Sequence, residues 1–211
     1  EIDYFNRTYL IDDNGTIADH YDKQHLVPFG EYVPFKRLFP WIGNLVSQIA
    51  DFTPGRSSTP LSQDSLALGI LICYEIIFPE VVQSRVEDGA NLLINQSNDA
   101  WFGNSSAPEQ HLHLAVLRAV EQRRTILRAT NTGISAVIDP LGRIRSRTGL
   151  FVPATLSPES VLTVQQRTLY SRHSRILHWG FFLLTGLMLL YGLRSRKKAP
   201  SHKPENQTAQ L

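Results

Sequence analysis

Apolar and polar positions alternate in two different rhythms along this chain. Ser65–Glu75 (SLALGILICYE) is a nearly continuous apolar run, and Asn91–Ser97 (NLLINQS) is a shorter one; both predict strands buried on both faces. Thr8–Asp13, then Asn14-Gly15, then TIADHYDK, predicts a β-hairpin, because Asn-Gly supplies the positive φ of a type I′ turn. Pro79 opens a predicted helix to about Asp88, with Gly89 as its stop. Ser106 to Glu109 offers a capping box and an N1 proline for a long helix to about Thr130. Ile134–Ile144 reads as a strand and turn, and Ser160–Gln166 as a late strand. Strands alternating with helices predict an α/β body whose inner strands are covered on both sides.

The rhythm stops at the C-terminal end. Ile176–Leu193 (ILHWGFFLLTGLMLLYGL) contains no Asp, Glu, Lys or Arg. About 18 residues is the short end of the range for a membrane-spanning helix. Arg172 and Arg175 flank it on one side and Arg194, Arg196, Lys197 and Lys198 on the other, with Trp179 and Tyr191 near its ends. A buried core helix has the same composition, but it rarely ends in four clustered cations, so a bilayer span is favoured. The positive-inside rule then puts Arg194–Lys198 in the cytoplasm and the body outside. The predicted division is a body over 1–170, a transmembrane segment over 171–198 and a disordered tail over 199–211.

Composition narrows the function classes. With 211 residues and 42% hydrophobic content the chain builds a sizeable core, and disorder is excluded. One cysteine excludes a disulfide scaffold and a multi-cysteine metal site. The net charge of +2 is uneven: Glu1–Gln166 carries 13 Lys/Arg against 18 Asp/Glu, and Arg167–Leu211 carries 8 against 1. The basic excess belongs to the tail, so no nucleic-acid partner is expected. The chain opens on Glu1 with no leader, which predicts a piece of a longer protein.

Cys73 falls where a buried strand gives way to the helix opened by Pro79. A nucleophile at such a corner is exposed beside backbone N–H groups that stabilise an oxyanion. An inert buried cysteine is the commoner role for an isolated residue of this type, but Glu75 two residues on is hard to explain in a core strand. In YDKQHLVPFGEYVP, Lys23 follows a strand and Glu31 lies in a loop set by Pro28, Gly30 and Pro34. An ammonium near a thiol favours thiolate and neutralises a developing oxyanion, and a carboxylate keeps that ammonium charged and aimed. An exposed turn pair is the alternative.

YDKQHLVPFGEYVP, ICYE and SNDAWFG, in this order, resemble the nitrilase-type domain of apolipoprotein N-acyltransferases, and ATNTGISAVIDPLGRI and the terminal apolar helix fit the same family. The resemblance runs from about Tyr4 to Lys198. It implies a four-layer αββα sandwich, with Cys73 as nucleophile, Lys23 as oxyanion-stabilising lysine, Glu31 as the supporting glutamate, and Tyr74, Glu75 and Trp101 shaping the site. The family's general-base glutamate lies upstream of the lysine motif, so the base is expected before Glu1 and is assigned to no residue here.

The resemblance further implies an acyltransferase of the bacterial inner membrane, its catalytic body on the periplasmic side. A phospholipid would be the acyl donor and the amine of a diacylglyceryl apolipoprotein the acceptor, through a Cys73 thioester and without a cofactor. Two rivals are an amidase acting on a small C–N substrate and a non-catalytic membrane-tethered remnant.

Other features carry less. His111 and His113 are spaced i,i+2 and face different ways, so no metal site is expected. Arg118, Arg123, Arg124 and Arg128, interrupted by Glu121, read as a solvated or salt-bridged helix face. Asn131 and Gly133 read as a turn. Phe35–Phe52 is read equally as a helix packed on the core or as an apolar arm that meets the bilayer.

Overall fold

A computed structural model of the chain describes residues 3–34, 51–158 and 160–197. The residues fall into two units, Glu1–Ser171 and Arg172–Leu211. The readings of an apolar arm over Phe35–Phe52 and of a disordered tail over 199–211 lie, apart from Asp51 and Phe52, outside the described residues.

Strands β1 (Arg7–Ile11) and β2 (Ile17–Asp22) pair antiparallel as a hairpin. Its turn is not type I′. The Asp12 N–H donates to the Thr16 carbonyl at 2.9 Å and the Gly15 N–H to the Asp12 carbonyl at 3.0 Å. Within the turn only Gly15 has a positive φ, 78°. The loop is therefore Asp13-Asn14-Gly15, closed by a left-handed glycine. The Asp12 carboxylate accepts the Asn14 and Thr16 N–H groups at 2.9 and 2.8 Å, which stabilises the longer loop.

The main sheet runs in the order β3 (Leu61–Gln63), β4 (Leu66–Ile72), β5 (Leu92–Ser97), β6 (Ile126–Thr130), β7 (Ala136–Ile138), β8 (Ile144–Arg147). β4, β5 and β6 are parallel and the outer pairings antiparallel. Helix α1 (Pro79–Glu87) links β4 to β5, and α2 (Ala107–Gln122) links β5 to β6. The unbroken apolar runs are explained by two faces. Leu71, Leu93 and Ile126 pack with Val82 and Val86 of α1 and Leu112, Ala115 and Ala119 of α2. Ile70 and Ile72 pack on the other side against Tyr21 and Leu10 of the hairpin. Helices, main sheet and hairpin make three successive layers among the described residues.

Four further expectations are corrected. α2 ends at Gln122 rather than Thr130, because Arg123 takes the left-handed conformation (φ 51°, ψ 51°) usually given to glycine. The following Ile126–Thr130 is strand β6, which places Arg128 in the sheet and not on a helix face. The capping box does not form: Ser106 has no side-chain cap bond, and Glu109 pairs with Arg147. Ser160–Gln166 is not a strand. Its carbonyls are taken by side chains, Leu162 by Thr125 Oγ1 at 2.6 Å and Gln165 and Gln166 by Arg124 at 2.9 Å each. Arg124 also donates to the Ala90 carbonyl at 2.8 Å, and burial pushes its guanidinium pKa down to about 10. Ile134–Ile144 divides into β7, a turn closed by Gly142 N–H to Asp139 O at 2.9 Å, and β8.

Helix α3 (Leu169–Lys197) has 29 residues, and its stretch Leu169–Gly192 is long and apolar enough to cross a bilayer, with mean hydropathy 1.3. At about 1.5 Å per residue those 24 residues span roughly 36 Å, more than a hydrocarbon core of about 30 Å.

Candidate active site

β4 ends at Ile72, and Cys73 opens a 3₁₀ turn, Cys73–Ile77, with φ of 52°. A left-handed residue with a Cβ costs about 1–2 kcal/mol, so the corner must be held by its surroundings. Two side chains grip the backbone just before it. Glu75 Oε2 accepts the Ile72 N–H at 2.8 Å, and Asn95 Nδ2 donates to the Leu71 carbonyl at 3.1 Å.

Glu75 is fully buried. Its Oε1 accepts the Tyr21 hydroxyl at 2.8 Å and the N–H groups of Gln24 and His25 at 2.8 and 3.0 Å. The Arg85 guanidinium lies 4.0 Å from that oxygen and donates to the Tyr21 hydroxyl. Burial, reinforced by the Glu75 charge, holds the Tyr21 phenol well above its ordinary range. Glu75 therefore ties the strand-end corner to the segment that carries Lys23 and, fully buried, is not part of the cleft lining.

Lys23 is 1% exposed, and its Nζ donates to Glu31 Oε1 and Oε2 at 2.9 and 2.7 Å. Glu31 is held in turn by Asn6 Nδ2 at 3.0 Å and the Val27 N–H at 2.9 Å. A buried ammonium bonded to both oxygens of one carboxylate is fixed in direction. Cys73, Glu31 and Trp101 line one open cleft of about 550 Å³ with Asn6, Arg7, Thr8, Ile72, Gln96–Asn98 and Ala129–Asn131. It lies at the carboxyl ends of β4, β5 and β6, where parallel α/β sheets place their ligands. A cavity of about 570 Å³ by Thr125, Asp139 and Arg145 has no cysteine, histidine or lysine in its lining.

Sequence reasoning named Cys73, Lys23, Glu31 and Trp101, and the fold brings Cys73, Glu31 and Trp101 to one cleft, with Lys23 attached through Glu31. Trp101 stands on a 3₁₀ turn, Asp99–Phe102, with its indole 88% exposed. Tyr74 packs instead in an aromatic group, 5.0 Å from Phe78 and 6.4 Å from His25. The sequence reading missed Tyr21 and Arg85, which brace Glu75. It also missed Asn131, read as a turn residue, as part of the cleft lining.

A buried cluster stands behind the cleft. Arg128 Nη2 pairs with Asp99 Oδ2 at 2.7 Å, His111 Nδ1 lies 3.2 Å from Asp99 Oδ1, and Ser97 Oγ donates to that oxygen at 2.6 Å. His111 is thus a structural histidine, and Arg128, 3% exposed, is paired in the core rather than solvated. Arg118 is also buried and lies 3.2 Å from Glu121, a paired rather than solvated cation.

Several known proteins are similar to this chain. The chain is 42% identical to an apolipoprotein N-acyltransferase of Geobacter metallireducens over 95% of its own length and 38% of that protein's. It is 41% identical to one of Nitrosomonas europaea over 90% of its length and 37% of that protein's. It thus spans less than two-fifths of the length of these two relatives. The crystal structure of Saccharomyces cerevisiae Nit3, a nitrilase-superfamily member, superposes with a TM-score of 0.53 at 24% identity, over 70% of this chain and 50% of that one, a likeness of fold. Residues 1–165 match the carbon–nitrogen hydrolase family throughout, and with its nitrilase-like α/β body and strand-end cysteine this chain belongs to that family.

Proposed function

We propose that the chain carries the nucleophile and oxyanion-stabilising part of a membrane-bound N-acyltransferase that matures bacterial lipoproteins. The observation that carries the reading is the strained Cys73 corner opening into the same cleft as the Glu31 carboxylate that holds Lys23. The similarity to apolipoprotein N-acyltransferases and the apolar helix α3 support it.

In the first step Cys73 Sγ attacks an ester carbonyl of a phospholipid. The S–C bond forms as the ester C–O bond breaks, and the proton from the thiol leaves with the lysophospholipid oxygen. The Lys23 ammonium serves the developing oxyanion, and Glu31 holds it in place. In the second step the amine of a diacylglyceryl-cysteine attacks the thioester. The N–C bond forms, the C–S bond breaks, and the amine proton returns to the thiolate by way of a general base.

That base is neither carboxylate of the motifs. Glu31 is committed to Lys23 and to two N–H donors, and Glu75 is buried with both oxygens bonded. The reading assigns the base to a part of the longer protein outside this sequence. The body is assigned to the periplasmic face of the inner membrane, from the cation cluster Arg194–Lys198 that follows the apolar stretch of helix α3.

Incubating the whole protein with phospholipid alone tests the reading. One acyl mass, removable by hydroxylamine, is expected on the peptide containing Cys73, and Cys73→Ser removes it. Transfer with an unmodified Cys73 peptide overturns the covalent route.

A further inference from the structure

Arg128 is the point at which the walls of the cleft meet. Its Nε donates to the Ile134 carbonyl at 3.2 Å, its Nη1 donates to Asn95 Oδ1, and its Nη2 pairs with Asp99 Oδ2 at 2.7 Å and lies 3.0 Å from His111 Nδ1. These four partners sit on four different segments. Asn95 is on β5, Asp99 in the turn that carries Trp101, Ile134 in the loop before β7, and His111 on α2. Gln96–Asn98 and Trp101, and Ala129–Asn131, cleft-lining groups on either side of it in the chain, are therefore fixed to one guanidinium.

The link to the nucleophile runs through Asn95. Because its Oδ1 accepts from Arg128, its Nδ2 must face the Leu71 carbonyl, to which it donates at 3.1 Å. Leu71 is two residues before Cys73, whose backbone holds a conformation that a residue with a side chain adopts only under constraint. Gly133 shows how closely the cluster is fitted: a Cβ there would lie 2.3 Å from Asp99 Oδ2. The three acceptors are met by three separate nitrogens of one planar guanidinium, a spread that an ammonium, with its three donors on a single atom, does not reproduce.

We infer that Arg128 is a positioning residue for Cys73, acting through Asn95 on the Leu71 carbonyl and through Asp99 on the turn that bears Trp101. The charged groups around the corner are Lys23 and Glu31 from the segment after β2, Glu75 on the 3₁₀ turn itself, Arg85 from α1, which donates to the Ile70 carbonyl at 3.1 Å, Arg7 from β1, and Arg128 with Asp99 from behind the cleft. Among these, Arg128 alone joins the corner to both other walls of the cleft. The inference rests on Cys73 being the reactive group, and not on which acyl donor or acceptor it serves.

The test is alkylation of Cys73 by iodoacetamide in the whole protein in detergent, which needs neither lipid nor acceptor. Its result therefore stands even if the acyltransferase reading fails. Arg128→Lys keeps the charge and loses the fork; Asn95→Leu keeps the Arg128–Asp99 pair and removes both Asn95 bonds, the one from Arg128 and the one to the Leu71 carbonyl, so that the corner is uncoupled from the guanidinium. Both variants are expected to slow alkylation roughly tenfold to a hundredfold, the scale of an ångström-sized misplacement. Where transfer is assayed, kcat should fall with KM for phospholipid unchanged. Should Arg128→Lys fail to fold, Asn95→Leu decides. Alkylation of folded Asn95→Leu at the parent rate overturns the inference.

Discussion

Glu75, two residues after Cys73, accepts the backbone N–H of Gln24, the residue after Lys23, at 2.8 Å. One buried carboxylate thus sets the register between the segment bearing the ammonium and the corner bearing the thiol. Its two oxygens accept four donors, and an amide in its place has a single acceptor oxygen.

Glu75→Gln should therefore leave at least one buried donor facing another donor, at a cost of about 1–3 kcal/mol. A melting midpoint lowered by several degrees and a Cys73 alkylation rate well below that of the parent are expected. A variant with parental melting and parental alkylation would show that the register is set elsewhere.

Lys23 is buried against Glu31 at 2.7 Å, in space shaped for a compact ammonium. Lys23→Arg should be almost as damaging as Lys23→Ala, each lowering turnover on the order of 10²–10³-fold, because a guanidinium neither fits nor points as the amine does. Turnover assays on the whole protein check this. An Arg variant at parental turnover would reduce Lys23 to a long-range charge.

Asp99 is drawn two ways. Burial raises its pKa, but hydrogen bonds from His111 and Ser97 and the Arg128 charge outweigh that and hold it below its ordinary 3.8. A depressed carboxylate stabilises the fold above its unfolded pKa and loses that contribution as pH falls through the lower folded value. Asp99→Asn should cost about 3–5 kcal/mol at neutral pH by stranding Arg128, and the difference from the parent should shrink below pH ~4. Urea unfolding across that window measures it, and a constant difference down to pH ~2 would rule out the Asp99 charge as the source.

The proposed orientation rests on the four cations Arg194, Arg196, Lys197 and Lys198 beyond the apolar stretch of α3. In a Cys73→Ala background, Ser201→Cys should react with a membrane-impermeant maleimide only after the inner membrane is opened. Labelling in intact spheroplasts would put the tail outside and the body in the cytoplasm.

Local patterns were enough for much of this protein. The buried strands at Leu66–Ile72 and Leu92–Ser97, the helix after Pro79, the hairpin strands and the apolar C-terminal helix all show in the sequence, because period, proline placement and unbroken apolarity act over neighbouring residues. The motifs also singled out Cys73, Lys23 and Glu31, and the fold places Cys73 and Glu31 in one cleft with Lys23 bonded to Glu31. The tertiary structure decided the rest. Helix α2 stops at Arg123, a left-handed position with no glycine to announce it, so the periodicity runs on past the true end. Arg128 thereby moves into a strand, where Asp99, 29 residues away, makes it a core cation instead of a solvated one. Glu75 reaches Gln24 across 51 residues, and the late segment at Ser160–Gln166 gives its carbonyls to Arg124 and Thr125 instead of to a neighbouring strand. Each of these outcomes turns on a buried polar group finding its partner across the fold, and a pattern of near neighbours carries no record of such distant pairings.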